Sequence, residues 1–267
     1  MKNILLLVHD DPGQEARVQA ALDLTRALDG HLTCLDVAAM PVISGDIYSA
    51  TVEVQLLTDQ RNRAAQNRDR LKARLTGEDV PWNWVEASGQ IAPSLAEAAK
   101  MADLVVLNRK LDSPSEQDMR AIAGQVVIAS DRAVVAVPEH SRGFDPAGVA
   151  LIAWNGSDEA MKAVQEAVPL LQLARNVTIV EIDDGNVEVP AEDAATYLSR
   201  HGIRPVVVRR RGVGQPVGDT LLAEAKAADA AYIVMGGFRH SRMIEALFGG
   251  VSREMLGASP VPDIMAH

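Results

Sequence analysis

The feature that most constrains this chain is that it is written twice. The passage NILLLVHDDPGQEARVQAALDLTRALDGHLTCLDV, beginning at Asn3, runs from an apolar stretch through a polar turn into an amphipathic stretch and a second apolar one. GVALIAWNGSDEAMKAVQEAVPLLQLARNVTIVEI, beginning at Gly148, does the same. Both read as strand, helix, strand, and self-similarity on this scale means one architecture used twice. Further on, APSLAEAAKMADLVVLNRK from Ala92 is echoed by QPVGDTLLAEAKAADAAYIVMGG from Gln215, with the Ala-Asp pairs Ala102–Asp103 and Ala228–Asp229 before the apolar runs. GQVVIASDRAVVAVPEH and GGVSREMLGASPVPDIMAH close the two copies.

The apolar runs ILLLV, LVVL and YIVM do not alternate, which is the pattern of strands buried on both faces of a parallel sheet. Helical patterns separate them, so the expected fold class is α/β, with two tandem doubly wound parallel sheets of five strands each. The stretch PEHSRGFDPAGV carries Pro138, Gly143, Pro146 and Gly148 among polar residues and reads as a linker. The boundary falls near Phe144, giving an N-terminal domain over residues 1–143 and a C-terminal domain over 144–267. The copies differ most between Ser49 and Leu75, a long charged helix whose counterpart, VPAEDAATYLSRHG, is far shorter. That helix reads as a solvated cover for a sheet edge, with a partner-docking surface as the alternative. Trp82 and Trp84 share one strand face and are expected to pack beneath it.

Composition narrows the function. Of 267 residues, 48% are hydrophobic but only 3% aromatic, so the core is built from Ala, Val, Leu and Ile. A formal charge of −10 repels nucleic acid backbones and anionic membrane surfaces, so neither is expected as a partner. The apolar run in MKNILLLVHDDPG is too short for a signal peptide or a membrane span, and the expected location is cytoplasmic. The single cysteine, Cys34, excludes an internal disulfide and a multi-cysteine metal site, and its strand-like surroundings predict a buried thiol. No metal-ligand spacing, nucleophile elbow or Gly-Lys-Ser/Thr loop occurs, and no general base is placed, so an enzyme is not expected.

The combination of strand, polar turn NGSDEAMKA, Ala-rich helix and the late stretch VMGGFRHSRMIEALFGGVSREML followed by SPVP resembles the universal stress protein family, in its tandem form with two domains in one chain. The resemblance implies a Rossmann-like fold of the adenine nucleotide alpha hydrolase type, with the two domains related by a pseudo-twofold axis. The last strands, AVVAV and VPDIM, would then lie near that axis. Asp263 interrupts the second of these, which conflicts with a central position. It also implies an adenine nucleotide, ATP with or without magnesium, at the carboxyl ends of the strands. Family members that bind nucleotide have an acid after the first strand and a Gly-x-x-Gly, nine residues, Gly-Ser/Thr pattern after the fourth. In the second half, Gly236 and Gly249 fill glycine positions, Arg239 replaces the second glycine, Gly250 replaces the Ser/Thr and Asn155 stands where the acid is usual. Ile182, His240 and Val251 complete the implied binding set.

The first half has Asn108 at the first glycine position and only Gly124 near the helix start, although His9, Asp10 and Asp11 follow its first strand; its site reads as lost. GVGQPVG, Gly212 to Gly218, has the outline of a dinucleotide fingerprint but follows the third strand instead of the first. Arg209, Arg210 and Arg211 read as an exposed strand terminus. Two functions remain: a nucleotide-responsive stress module, or a ligand-free scaffold that meets an unknown protein partner. The internal pair predicts a stable monomer, with a homodimer allowed.

Overall fold

The computed structural model describes residues 1–38, 50–109, 119–183, 187, 189–211, 216–237 and 250–267. In the first half the order is β1 (Asn3–Val8), α1 (Gln14–Ala27), β2 (His31–Ala38), α2 (Ala50–Thr76), β3 (Trp82–Ser88), α3 (Ile91–Ala99), β4 (Leu104–Asn108), α4 (Met119–Ser130) and β5 (Ala133–Val137). The second half repeats it with β6 (Val149–Trp154), α5 (Asp158–Leu171), β7 (Asn176–Asp183), α6 (Ala191–Arg200), β8 (Val206–Arg211), α7 (Val217–Ala227), β9 (Ala230–Gly236), α8 (Gly250–Ala258) and β10 (Asp263–Ala266). Three helix-to-strand corners use an aspartate in the left-handed region: Asp29, Asp131 and Asp229, with φ of 47°, 52° and 50°. Aspartate tolerates this conformation better than most residues do.

Helices cover both faces, as continuous apolar strands require. One core layer gathers Leu6, Leu22, Leu71, Ile152, Leu171 and Val234 under α1, α2, α5 and α6. The other gathers Leu7, Leu95, Val126, Leu221, Ile233 and Met255 under α3, α4, α7 and α8. Cys34 is fully buried in the first layer. Trp82 and Trp84 pack against the same layer, and the Lys72 ammonium of α2 lies 5.0 Å from the Trp84 ring centroid.

The two expected five-stranded sets meet through their last strands. The strands form one ten-stranded sheet in the order β3-β2-β1-β4-β5-β10-β9-β6-β7-β8, a palindrome of the two copies. β5 and β10 pair antiparallel, with Asp263 opposite Ala136 and Met265 opposite Val134. Each half ends in a short apolar strand whose outer edge would leave backbone N–H and C=O groups unpaired, and each edge satisfies the other. All other pairings are parallel.

Asp263 therefore does sit centrally and fully buried, against the expectation from its charge. Arg109, just past the end of β4, makes this tolerable: its Nη1 lies 3.4 Å from Asp263 Oδ2. The same guanidinium donates to the Met255 carbonyl at 3.1 Å and the Ser259 carbonyl at 2.6 Å, binding the end of α8 to the opposite half. The connecting stretch is also fixed. Phe144 is buried, with its ring centroid 4.9 Å from that of Tyr232 in β9.

Candidate functional site

In open parallel sheets, ligands lie beyond the carboxyl ends of the strands. In the second half, β6 ends at Trp154 and turns through Asn155, Gly156 and Ser157 into α5. Asn155 is exposed, and its Oδ1 accepts a hydrogen bond from the Ser157 N–H at 3.1 Å. The Ser157 hydroxyl caps α5 by accepting from the Ala160 N–H at 3.3 Å. Gly156 has φ of +74°, and a Cβ there would collide with the Val189 backbone, so this turn needs glycine. The Trp154 indole N–H donates to the Val189 carbonyl at 2.8 Å and ties the same segment down.

Gly236 ends β9 directly against α5. A Cβ there would lie 2.6 Å from the Ala160 nitrogen and 2.8 Å from the Glu159 carbonyl carbon. Gly250 opens α8, and among the described residues no atom lies within 4 Å of where its Cβ would be. Gly250 and Val251 thus lie at the positive end of a helix dipole. Beside Gly236, the first turn of α5 carries Glu159, whose Oε2 is buried with no hydrogen-bond partner among the described residues. Sequence reasoning sought an acid at Asn155 and missed this one in the helix turn that follows it. An acidic residue in the first turn after NGSD was the available signal.

Arg239, His240 and Gly249 lie outside the described residues. Ile182 is buried, and its side chain belongs to the core layer that holds Leu221 and Met255. In the GVGQPVG stretch, Gly212 to Gln215 also lie outside the described residues. Its last glycine, Gly218, sits in the first turn of α7 against the Glu254 carboxylate, which opposes an anion there. Two of the three arginines of the basic run are occupied with acids: Arg209 donates to Glu181 at 2.8 Å and pairs with Glu192, and Arg210 pairs with Glu224 at 2.7 Å.

In the first half the turn after β1 is packed differently. Arg17, fully buried in α1, donates to the Leu7 carbonyl at 2.8 Å, the His9 carbonyl at 3.0 Å and Asp11 Oδ2 at 2.8 Å. Burial pushes the Asp11 carboxyl up, but hydrogen bonding with His9 and the Arg17 charge outweigh it and hold the pKa below the usual value. The acid after β1 is thus neutralised internally. Asn108, where β9 has Gly236, is buried, and Gln14 and Asn67 close the neighbouring space with reciprocal bonds of 2.7 and 2.8 Å.

The residues of the second half suit an adenine nucleotide in chemical type: backbone N–H groups at the start of α8 for phosphate, and on Glu159 a carboxylate oxygen with no partner among the described residues for a hydroxyl or amine. No cluster with metal-ligand composition occurs among the described residues. No described helix is long and apolar enough to cross a membrane.

Residues 148–267 match the family model described as Universal stress protein family. No curated protein matches the chain. Among solved structures, a universal stress protein from Archaeoglobus fulgidus superposes with a TM-score of 0.73 at 15% identity, covering 99% of this chain and 96% of that one. A functionally unknown protein from Pseudomonas aeruginosa PAO1 superposes with a TM-score of 0.57 at 14% identity, covering 100% of this chain and 92% of that one.

Proposed function

We propose, from the premise that residues 148–267 form a universal stress protein domain, that the chain is a non-catalytic stress module. In this reading it binds one adenine nucleotide, in the second half, while the first half serves as its scaffold. The observation that carries this reading is the contrast between the copies. Where the first half buries Arg17 on Asp11 and the strand-end carbonyls, the second half has the bare backbone of Gly236, the open helix start at Gly250 and the unpaired Glu159 oxygen. The nucleotide would place phosphate at the first turn of α8 and ribose or adenine donors toward Asn155 and Glu159. Arg239 and His240 are the family-implied candidates for further phosphate contacts.

Calorimetric titration of ATP, with and without magnesium, tests this. Gly250→Ser restores a hydroxyl and should tighten binding by about 1–3 kcal/mol if it meets phosphate. Gly250→Asp puts a carboxylate at the same unobstructed place; it should leave thermal stability unchanged or slightly higher, because an acid at a helix start is favourable, while weakening ATP. Binding that is insensitive to both substitutions would remove the site from α8. No heat in wild type, Gly250→Ser or Arg239→Gly would favour the ligand-free scaffold.

A further inference from the structure

A second feature separates the copies, on the α5–α6 side of the sheet. A cavity of about 120 Å³ opens between these helices, lined by Trp154, Met161, Val164, Val189, Ala194 and Tyr197, with Gln165 and Asp193 also lining it. Trp154, Val164 and Ala194 are buried and form its floor. Met161, Val189 and Tyr197 are half-buried walls, while Gln165 and Asp193 are exposed at the rim. In the first half the corresponding helix turn carries different side chains. The fourth residue of α1 is Arg17, which reaches the β1 carbonyls, and Gln14 closes on Asn67 of the long α2. The fourth residue of α5 is Met161, and α6 is a short helix of 10 residues.

We propose that this cavity is a binding site for a small one-ring aromatic cation, a benzylamine-like arylalkylamine. The site is distinct from the nucleotide reading and does not depend on it. A cavity of this size with apolar walls accepts a single aromatic ring and does not hold water well. Trp154 offers aromatic surface, Tyr197 the side of its ring away from His201, whose centroid lies 4.7 Å from it, and Met161 a polarisable sulfur. The Trp154 N–H is already committed to Val189, so the indole presents only apolar surface. At the rim, the Asp193 carboxylate has no ion pair among the described residues, whereas its neighbour Glu192 is bound to Arg209. An ammonium one carbon beyond a seated ring would meet Asp193 in solvent and lie near the aromatic faces, where cations are attracted. A chain of net charge −10 adds to the preference for a cation over an anion.

The test uses the full chain with methyl-labelled methionine, titrated separately with benzylamine, benzyl alcohol and benzoate, and followed by NMR. Benzylamine should shift the Met161 methyl, give ligand-to-methyl contacts and bind in the micromolar to millimolar range. Benzyl alcohol should bind about tenfold more weakly, and benzoate more weakly still. Asp193→Asn should erase the difference between benzylamine and benzyl alcohol while keeping ring binding. Ala194→Leu fills the floor and should abolish it; the wild-type contacts to Met161 decide the question even if that variant does not fold. Absence of Met161 contacts at millimolar benzylamine overturns the proposal, as does equal binding of benzoate. A rise in mass with protein concentration that Ala194→Leu suppresses would also overturn it, since the occupant would then be a side chain of a second copy.

Discussion

Replacing Arg109 with methionine should destabilise the whole protein, because the Asp263 carboxylate would be left fully buried between β5 and β9 with no counter-charge. Removing one member of a buried ion pair costs about 3–5 kcal/mol when the other stays ionised, as Asp263 does most fully in assays well above neutral pH. At roughly 2–4 °C per kcal/mol for a chain of this size class, the midpoint should fall by about 6–20 °C. The two carbonyls that Arg109 satisfies, on Met255 and Ser259, belong to the end of α8 and the turn beyond it, so the loss should spread to the second half. The decisive control is Arg109→Met with Asp263→Leu. Removing both charges leaves an apolar pair of similar volume, which is commonly neutral or stabilising, so most of the loss should be recovered. Urea unfolding of wild type, both single variants and the double variant gives the coupling energy directly. A single-variant cost below about 1 kcal/mol, or a double variant no better than Arg109→Met, would show that the pair does not hold the halves together.

The same pair predicts a pH dependence. Burial pushes Asp263 up to about 7 from 3.8, with Arg109 and Ser259 pulling the other way. The folded state then holds this proton more tightly than the unfolded chain, so its contribution is fully present below about pH 4 and is lost as pH rises through about 7. The stability of wild type relative to the double variant should fall over that window in urea titrations, and a flat difference contradicts the reading. Burial also raises the Cys34 thiol to about 12. Iodoacetamide should leave the folded protein unlabelled at neutral pH and modify it only in denaturant; rapid native labelling would place Cys34 outside the core.

The repeat, the order of elements and the burial of strands on both faces were legible in the sequence, because hydrophobic periodicity is local and the two copies corroborate each other. ILLLV and YIVM need no partner to announce buried parallel strands. The polar packing at the end of β1 was half legible: Asn108 in place of glycine is visible in the sequence. That Arg17 fills the space is not, because its partners are carbonyls and a carboxylate brought together only by the turn after β1. Asp263 shows the limit most clearly. Read alone, a carboxylate in an apolar strand argues for an edge, because an unpaired buried charge is so costly. Its partner, Arg109, lies 154 residues away in the other copy, and no local pattern links them. The fusion of two sheets into one, the carboxylate that this fusion buries, the orphaned oxygen of Glu159 and the cavity beside Trp154 all arise from contacts between segments distant in sequence. Local sequence fixes what each segment prefers to become, and only packing decides which charges find partners and which spaces stay unfilled.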